Sequence, residues 1–253
     1  MNLPNVLYKY RSLSEKHRDN TKRLIVKNTI YFPTFNQFND PFDCDLHIRI
    51  FSDESTIREK LVKLNPEASS KEIERMVQEV LNLDPEERQR NLQQGIRNET
   101  VKCGIFCLSS VPDNLLMWSH YADSHKGVCV GFKVNDDYLF GCELTKIQYQ
   151  DRYPELSIAN DITIDWVNNY LSTKSNDWCH EQEYRIVYRS PGEFVYPRED
   201  LNCVILGAKI EPEMKNAVIE WIRPYTGQVQ VFKARLHCSE FKIVFDKVAL
   251  QKE

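Results

Sequence analysis

The sequence predicts an α+β protein: a bent or two-sheet antiparallel β core with one helical insertion. Three observations lead there. Short apolar runs alternate with turn formers along most of the chain, as in Ile105–Leu108, which stops at Ser109 and Ser110, and Val128–Phe132, which is entered through Gly127. The regular strand–helix alternation of parallel sheets is missing. Residues 53–100 change character, being charge-rich and poor in aromatics, with three helix-start signatures in a row. The chain therefore reads as one domain over residues 1–253, interrupted by a helical insertion at about 53–100.

In chain order, Val6–Arg11 is the first strand, with Tyr8 and Tyr10 on one face and Lys9 and Arg11 on the other. A polar connection over Ser14–Lys22 and a strand within Leu24–Phe32, turning near Lys27 and Asn28, are expected next. The stretch Phe35-Asn-Gln-Phe-Asn-Asp-Pro-Phe42 has too many turn formers for a regular element. Asn39 and Asp40 there either cap local backbone or reach a ligand. The insertion opens three times, at Asp53, Ser69 and Asp84, each a cap followed by acidic residues. Ile57, Leu61 and Leu64 form one helical stripe, and Ile73, Met76, Val77 and Val80 another.

After the strand at Ile105–Leu108, Asn114–Tyr121 is a short helix with Asp113 or Asn114 as N-cap. It gathers Trp118, His120 and Tyr121 beside two strand ends, an aromatic floor of the kind that lines pockets. A turn over Asp136–Gly141, a strand over Leu144–Tyr149 and a helix over Pro154–Thr173, carrying Ile158, Ile162, Ile164 and Val167, follow. In Glu181-Gln-Glu-Tyr-Arg-Ile-Val-Tyr188 strand alternation puts Glu181, Glu183 and Arg185 on one face and Tyr184 and Ile186 on the core face. Leu201–Ile210, a helix from Pro212 to about Arg223, and closing strands at Val229–Leu236 and Phe241–Phe245 complete the chain.

Composition narrows the function classes. Hydrophobic residues at 42% and charged residues at 28% describe an ordinary globular protein, and a net charge of −4 argues against a general polyanion binder. No apolar run approaches spanning length and no signal peptide opens the chain, so the cytoplasm is the expected compartment and no membrane partner is expected. The eight cysteines lack paired spacing, which reads as reduced thiols without a zinc site or other metal. No Gly-x-Gly-x-x-Gly, P-loop or His-Glu-x-x-His motif is present, against Rossmann, Walker and zincin chemistry.

Four stretches carry a resemblance: Leu7-Tyr-Lys-Tyr-Arg11, Phe38-Asn-Asp-Pro-Phe42, Met117-Trp-Ser-His-Tyr-Ala-Asp-Ser-His-Lys-Gly-Val-Cys-Val-Gly-Phe-containing 117–132, and Trp178-Cys-His-Glu-Gln-Glu-Tyr-Arg185. In this order they resemble the motifs of a bacterial domain-of-unknown-function family, number 2971. More distantly the chain is similar to ADP-ribosyltransferases, which spread three motifs along a compact β core. That resemblance implies an ADP-ribosyltransferase-like fold and NAD as substrate. It implies Tyr10 or Arg11 in the first motif, Ser109 with Trp118–Tyr121 in the second, and Glu183 within Glu181-Gln-Glu183 in the third. The middle motif, Trp-Ser-His-Tyr, departs from the Ser-Thr-Ser of the arginine-type enzymes, so the ribose-binding residue stays open.

The chemistry such a site needs is a carboxylate that stabilises an oxocarbenium-like ribose, for which Glu183 is the choice with Arg185 as its positioning neighbour. Tyr121 or Trp118 would stack nicotinamide, and Arg11 would hold pyrophosphate. The expected function is an NAD-consuming transferase or glycohydrolase, a toxin or phage-defence effector, modifying a protein or nucleic-acid acceptor. Two alternatives stand beside it: a non-catalytic nucleotide- or nucleic-acid-sensing module, and a hydrolase using His120 with Glu183 as an acid–base pair.

Overall fold

The computed structural model describes residues 3–44, 49–51, 53–135, 138–153, 155–157 and 170–250. Its strands, in chain order, are β1 (Val6–Arg11), β2 (Thr29–Phe32), β3 (Arg49–Phe51), β4 (Gly104–Ser109), β5 (Val128–Lys133), β6 (Tyr138–Leu139), β7 (Cys142–Glu143), β8 (Thr145–Lys146), β9 (Gln148–Gln150), β10 (Glu155–Ser157), β11 (Thr173–Ser175), β12 (Glu183–Tyr188), β13 (Gly192–Val195), β14 (Leu201–Leu206), β15 (Gln230–Leu236) and β16 (Ile243–Lys247). The helices used below are α1 (Glu15–Val26), α2 (Glu54–Leu64), α3 (Ser70–Asn82), α4 (Pro85–Thr100) and α5 (Leu115–Tyr121), with a further one at Pro212–Ile222. The protein is thus a mixed α+β fold with a large, mostly antiparallel sheet. The chain divides into two compact units, one of residues 1–33, 104–147 and 177–253, the other of residues 34–103 and 148–176.

The first unit holds an eight-stranded sheet in the order β16-β15-β14-β5-β1-β4-β12-β8. All neighbours are antiparallel except β14 and β15, whose parallel pairing needs a crossover, supplied by the helix Pro212–Ile222. One junction is weak. β1 pairs with β5 over six residues, from Val6↔Lys133 to Arg11↔Val128, but meets β4 at Tyr8↔Ser109 alone. Beyond Tyr8 the two strands part, so the sheet is open at its centre.

Strand alternation gives the sheet two apolar faces. Leu7, Phe106, Leu108, Val128, Val130 and Ile186 face Leu24 and Ile25 of α1 and Val218 and Ile222 of the crossover helix. Tyr10, Cys129, Cys203 and Ile205 face Met117, Trp118 and Ala122 of α5 and its end. Each large side chain buried in this way stabilises the fold by roughly 1.5–3 kcal/mol, which is why a seven-residue helix with little intrinsic stability keeps its place.

Two sequence expectations are corrected here. Residues Ser14–Lys22 are mostly helix α1, because Thr21, Leu24 and Ile25 at helical spacing supply a buried stripe that the surrounding charges hide. The strand expected over Leu24–Phe32 is therefore only β2, entered through Asn28 in the left-handed region at φ 52°. Asn is one of the few side chains that accept that conformation.

In the second unit, the three expected helix starts are the observed N-caps. Asp53, Ser69 and Asp84 each accept backbone N–H bonds from the first turn, Ser69 within a full capping box. Ile57 of α2 packs with Ile73 and Val77 of α3. β3 pairs with β10 and β9 with β11, both parallel. A buried ion pair joins Lys174 to Asp43 at 3.4 Å. The helix expected over Pro154–Thr173 begins instead with β10; Pro154 and residues 158–169, including Ile158, Ile162, Ile164 and Val167, lie outside the described residues, as do Asp136 and Asp137.

Candidate functional site

The site is built on three adjacent strands, β1, β4 and β12. Tyr8, Ser109 and Glu183 stand directly opposite one another across them. Glu183 and Arg185 are on the α5 side, while Tyr184 and Ile186 fill the opposite core. The strand parity read from the sequence holds for these four. It fails for Glu181, which closes a 3₁₀ turn over Asn176–Glu181. Gln182 then takes φ 44°, and this left-handed residue breaks the alternation before β12 begins.

Both carboxylates are nonetheless buried, Glu181 at 4% and Glu183 at 3% exposure. Arg185, fully buried, spans Glu183: Nε donates to Oε1 at 2.7 Å and Nη2 to Oε2 at 3.2 Å. A planar fork against a carboxylate fixes its orientation. Glu181 accepts a 2.7 Å hydrogen bond from the Tyr121 hydroxyl. Ser109 Oγ donates to the Glu181 carbonyl at 2.6 Å, and Ser110 N–H donates to the Gln182 carbonyl at 3.1 Å. The end of β4 thus clamps the backbone between the two glutamates.

Helix α5 brings Tyr121 to this point. Asn114 caps it, Oδ1 accepting from Leu116 and Met117 N–H, while its Nδ2 donates to the His180 carbonyl at 2.9 Å. The same side chain therefore starts the helix and ties down the turn that carries Glu181. Asn114 was expected only as a cap, and a side chain's second bond to a distant turn leaves no trace in local sequence. Trp118 anchors the helix. It is completely buried, donates from Nε1 to the Pro112 carbonyl at 2.7 Å, meets Tyr10 edge-on at 5.3 Å and stacks on His125. Its faces are occupied by protein, so its role is packing and Tyr121 is the ring left beside the carboxylates. After α5, Asp123, Ser124 and His125 all have positive φ. They deliver Gly127, where an added Cβ would lie 2.2 Å from the Arg11 carbonyl.

The remaining expected residues are placed elsewhere. His120 is exposed, its ring 6.3 Å from that of Tyr121. Tyr10 is buried in the α5-side core, its hydroxyl donating to the Val111 carbonyl at 2.8 Å, and burial drives its pKa upward. Tyr8, half-buried beside it, is pushed up to about 12, chiefly by burial. Arg11 and Lys9 lie on the opposite side of β1, lining a cavity that Glu183, Trp118, His120 and Tyr121 do not line. The sequence placed Arg11 together with Glu183; the cavity that Arg11 lines does not include Glu183. Asn39, exposed, and Asp40, whose Oδ1 accepts from Phe42 N–H at 2.9 Å in a local turn, belong to the other unit. No group of three metal-ligating side chains occurs among the described residues.

These features define a mixed α+β protein in which the first residue of β12 and the turn just before it each carry a buried glutamate, Glu183 clamped by Arg185 and Glu181 bonded by Tyr121. The profile of a family described as a protein of unknown function, DUF2971, matches residues 117–186. That span begins in α5 and ends in β12, and so contains Trp118, Tyr121, Glu181, Glu183 and Arg185. Comparison with curated proteins and with solved structures found no match. Among the described residues no helix is long and apolar enough to cross a membrane.

Proposed function

We propose that the protein consumes NAD, cleaving the bond between nicotinamide and ribose and passing ADP-ribose to water or to a macromolecular acceptor. The observation that supports this reading is the alignment of Tyr8, Ser109 and Glu183 across three adjacent strands. It sets the strands of the three expected motifs side by side, with the carboxylate oriented in advance by Arg185. In the reaction the C1′–N bond breaks and nicotinamide leaves with the electron pair. The acceptor's oxygen or nitrogen bonds C1′ and releases a proton. Glu183 stabilises the oxocarbenium-like ribose, because a fixed negative charge in a dry site acts most strongly on charge that develops in the transition state. Glu181 and Tyr121 form the neighbouring polar wall, Tyr121 offering the ring for nicotinamide. The test is nicotinamide release from NAD by the wild-type protein and by Glu183→Gln and Tyr121→Phe, with folding of each variant checked by thermal unfolding.

A second reading is favoured by one specific observation. The Glu183 carboxylate is already spanned by a buried guanidinium, as in a pair whose task is to fix the fold of a binding module. Binding of NAD that Glu183→Gln or Tyr121→Phe weakens, without any nicotinamide release, would select it.

A further inference from the structure

On the opposite side of the main sheet, beneath α1, lies a cavity of about 360 Å³. Its lining is mixed: Phe106 from β4, Leu24 from α1, Ile30 from β2 and Pro33 supply apolar surface, and Asn20, Thr29 and Tyr31 supply polar surface. Two cations enter it from β1. Lys9 Nζ donates to the Cys107 carbonyl at 2.7 Å and sits 4.8 Å from the centre of the Phe106 ring. That carbonyl is on the part of β4 that β1 no longer pairs. Arg11 makes no hydrogen bond or ion pair among the described residues, and its Nε is buried without a partner. At the rim Arg23 and Glu193 cancel each other in a pair at 2.5 Å. The cavity therefore gathers two cations, Lys9 and Arg11, against a lining of both apolar and polar groups.

That arrangement is costly for the protein alone. A buried guanidinium with an unpaired N–H loses hydration that nothing replaces. Burial lowers the pKa of both Lys9 and Arg11, the sign of cations held out of water, and at Lys9 the charges of Cys107, Glu183 and Glu181 offset only part of that shift. An anion that filled the cavity would remove the penalty from both. Two charges suit a dianion, and a phosphomonoester carries about −1.5 to −2 at neutral pH. A point-charge ammonium beside a forked guanidinium matches its several acceptor oxygens. The apolar surface of Phe106, Leu24 and Ile30 suits the flat face of an aromatic body attached to that phosphate, and Asn20, Thr29 and Tyr31 suit its polar edges. The volume lies in the range of small-molecule sites, roughly 300–1,000 Å³.

We propose that this cavity is a second site, which binds a phosphomonoester with a flat aromatic body, of the nucleoside monophosphate class, with Lys9 and Arg11 holding the phosphate. It does not rest on the NAD reading: NAD carries a pyrophosphate and no phosphomonoester, and none of the carboxylate-site residues lines the cavity. The test is calorimetric titration and thermal shift of the full chain with AMP, GMP, CMP, UMP, inorganic phosphate and adenosine. At least one mononucleotide is expected to bind and raise the unfolding temperature, more tightly than phosphate, with adenosine inert. Lys9→Met and Arg11→Gln are each expected to weaken binding at least about tenfold, while unliganded Arg11→Gln unfolds no lower than wild type because an unpaired cation has gone. No mononucleotide binding at millimolar concentration would overturn the proposal. So would equal binding of phosphate or adenosine, or an Arg11→Gln protein that binds normally but unfolds early.

Discussion

Replacing Trp118 tests how the carboxylate site is held. The ring is wholly buried, its edge contact with Tyr10 is 5.3 Å between centroids at 86°, and its indole N–H satisfies the Pro112 carbonyl at 2.7 Å. Truncating a buried Trp to Ala costs about 3–5 kcal/mol, and a carbonyl stranded by the missing donor adds about 1–3 kcal/mol. The two together amount to about 4–8 kcal/mol. For a chain of this size each kcal/mol lowers the unfolding temperature by roughly 2–4 °C. Trp118→Ala should therefore unfold roughly 10–30 °C below wild type, on that conversion. Trp118→Phe keeps much of the packing and loses only the N–H bond, so it should fall by a few degrees. Circular dichroism melts give the ranking directly. A Trp118→Ala protein within about 2 °C of wild type, or one no worse than Trp118→Phe, would refute the view that this ring anchors α5.

Gly127→Ala should destabilise by about 1–3 kcal/mol, because its Cβ meets the Arg11 carbonyl and the Ala122 backbone, whereas Gly95→Ala in α4 meets nothing and should stabilise by roughly 0.5–1 kcal/mol; urea titrations of both compare them. Tyr8 has a folded-state pKa raised from 10.0 to about 12, so its contribution is fully present below pH 10 and is lost as pH rises toward 12. Tyr8→Phe should accordingly flatten the fall in stability across that window. With thiol reagent at neutral pH, exposed Cys179 and Cys238 should react first, and buried Cys44, Cys129 and Cys203 only on denaturation, the thiols of Cys129 and Cys203 being further suppressed by pKa values that burial raises. Eight thiols should titrate in the denatured, unreduced chain.

Local signals were the legible ones. The caps at Asp53, Ser69 and Asp84 announce their helices because a cap is satisfied within its own first turn. The faces of β12 were legible because strand parity is a local rule, and it failed at the single left-handed residue, Gln182. Helix α1 was missed because charges cover a narrow buried stripe. The site was legible as a set of strands and not as a convergence. Sequence alternation put Arg11 on the other face of β1 from Tyr10, but nothing in the sequence says which face of β1 matches which face of β12. That depends on the register Tyr8↔Ser109↔Glu183, a pairing between residues 101 and 74 positions apart. Lys9 could be given a face and no partner for the same reason: the carbonyl it binds belongs to a strand about a hundred residues away.

The central claim is that Glu183 serves chemistry on NAD, and free nicotinamide is its most direct measure. Wild-type protein incubated with NAD should release nicotinamide above the spontaneous rate. Glu183→Gln should lower that rate by on the order of a hundredfold or more, the several kcal/mol of barrier that a transition-state carboxylate supplies. Folding checked by melting must accompany the rate, because Arg185 spans the same carboxylate. Wild-type protein that releases no nicotinamide, or a folded Glu183→Gln variant that releases it at the wild-type rate, would contradict the account.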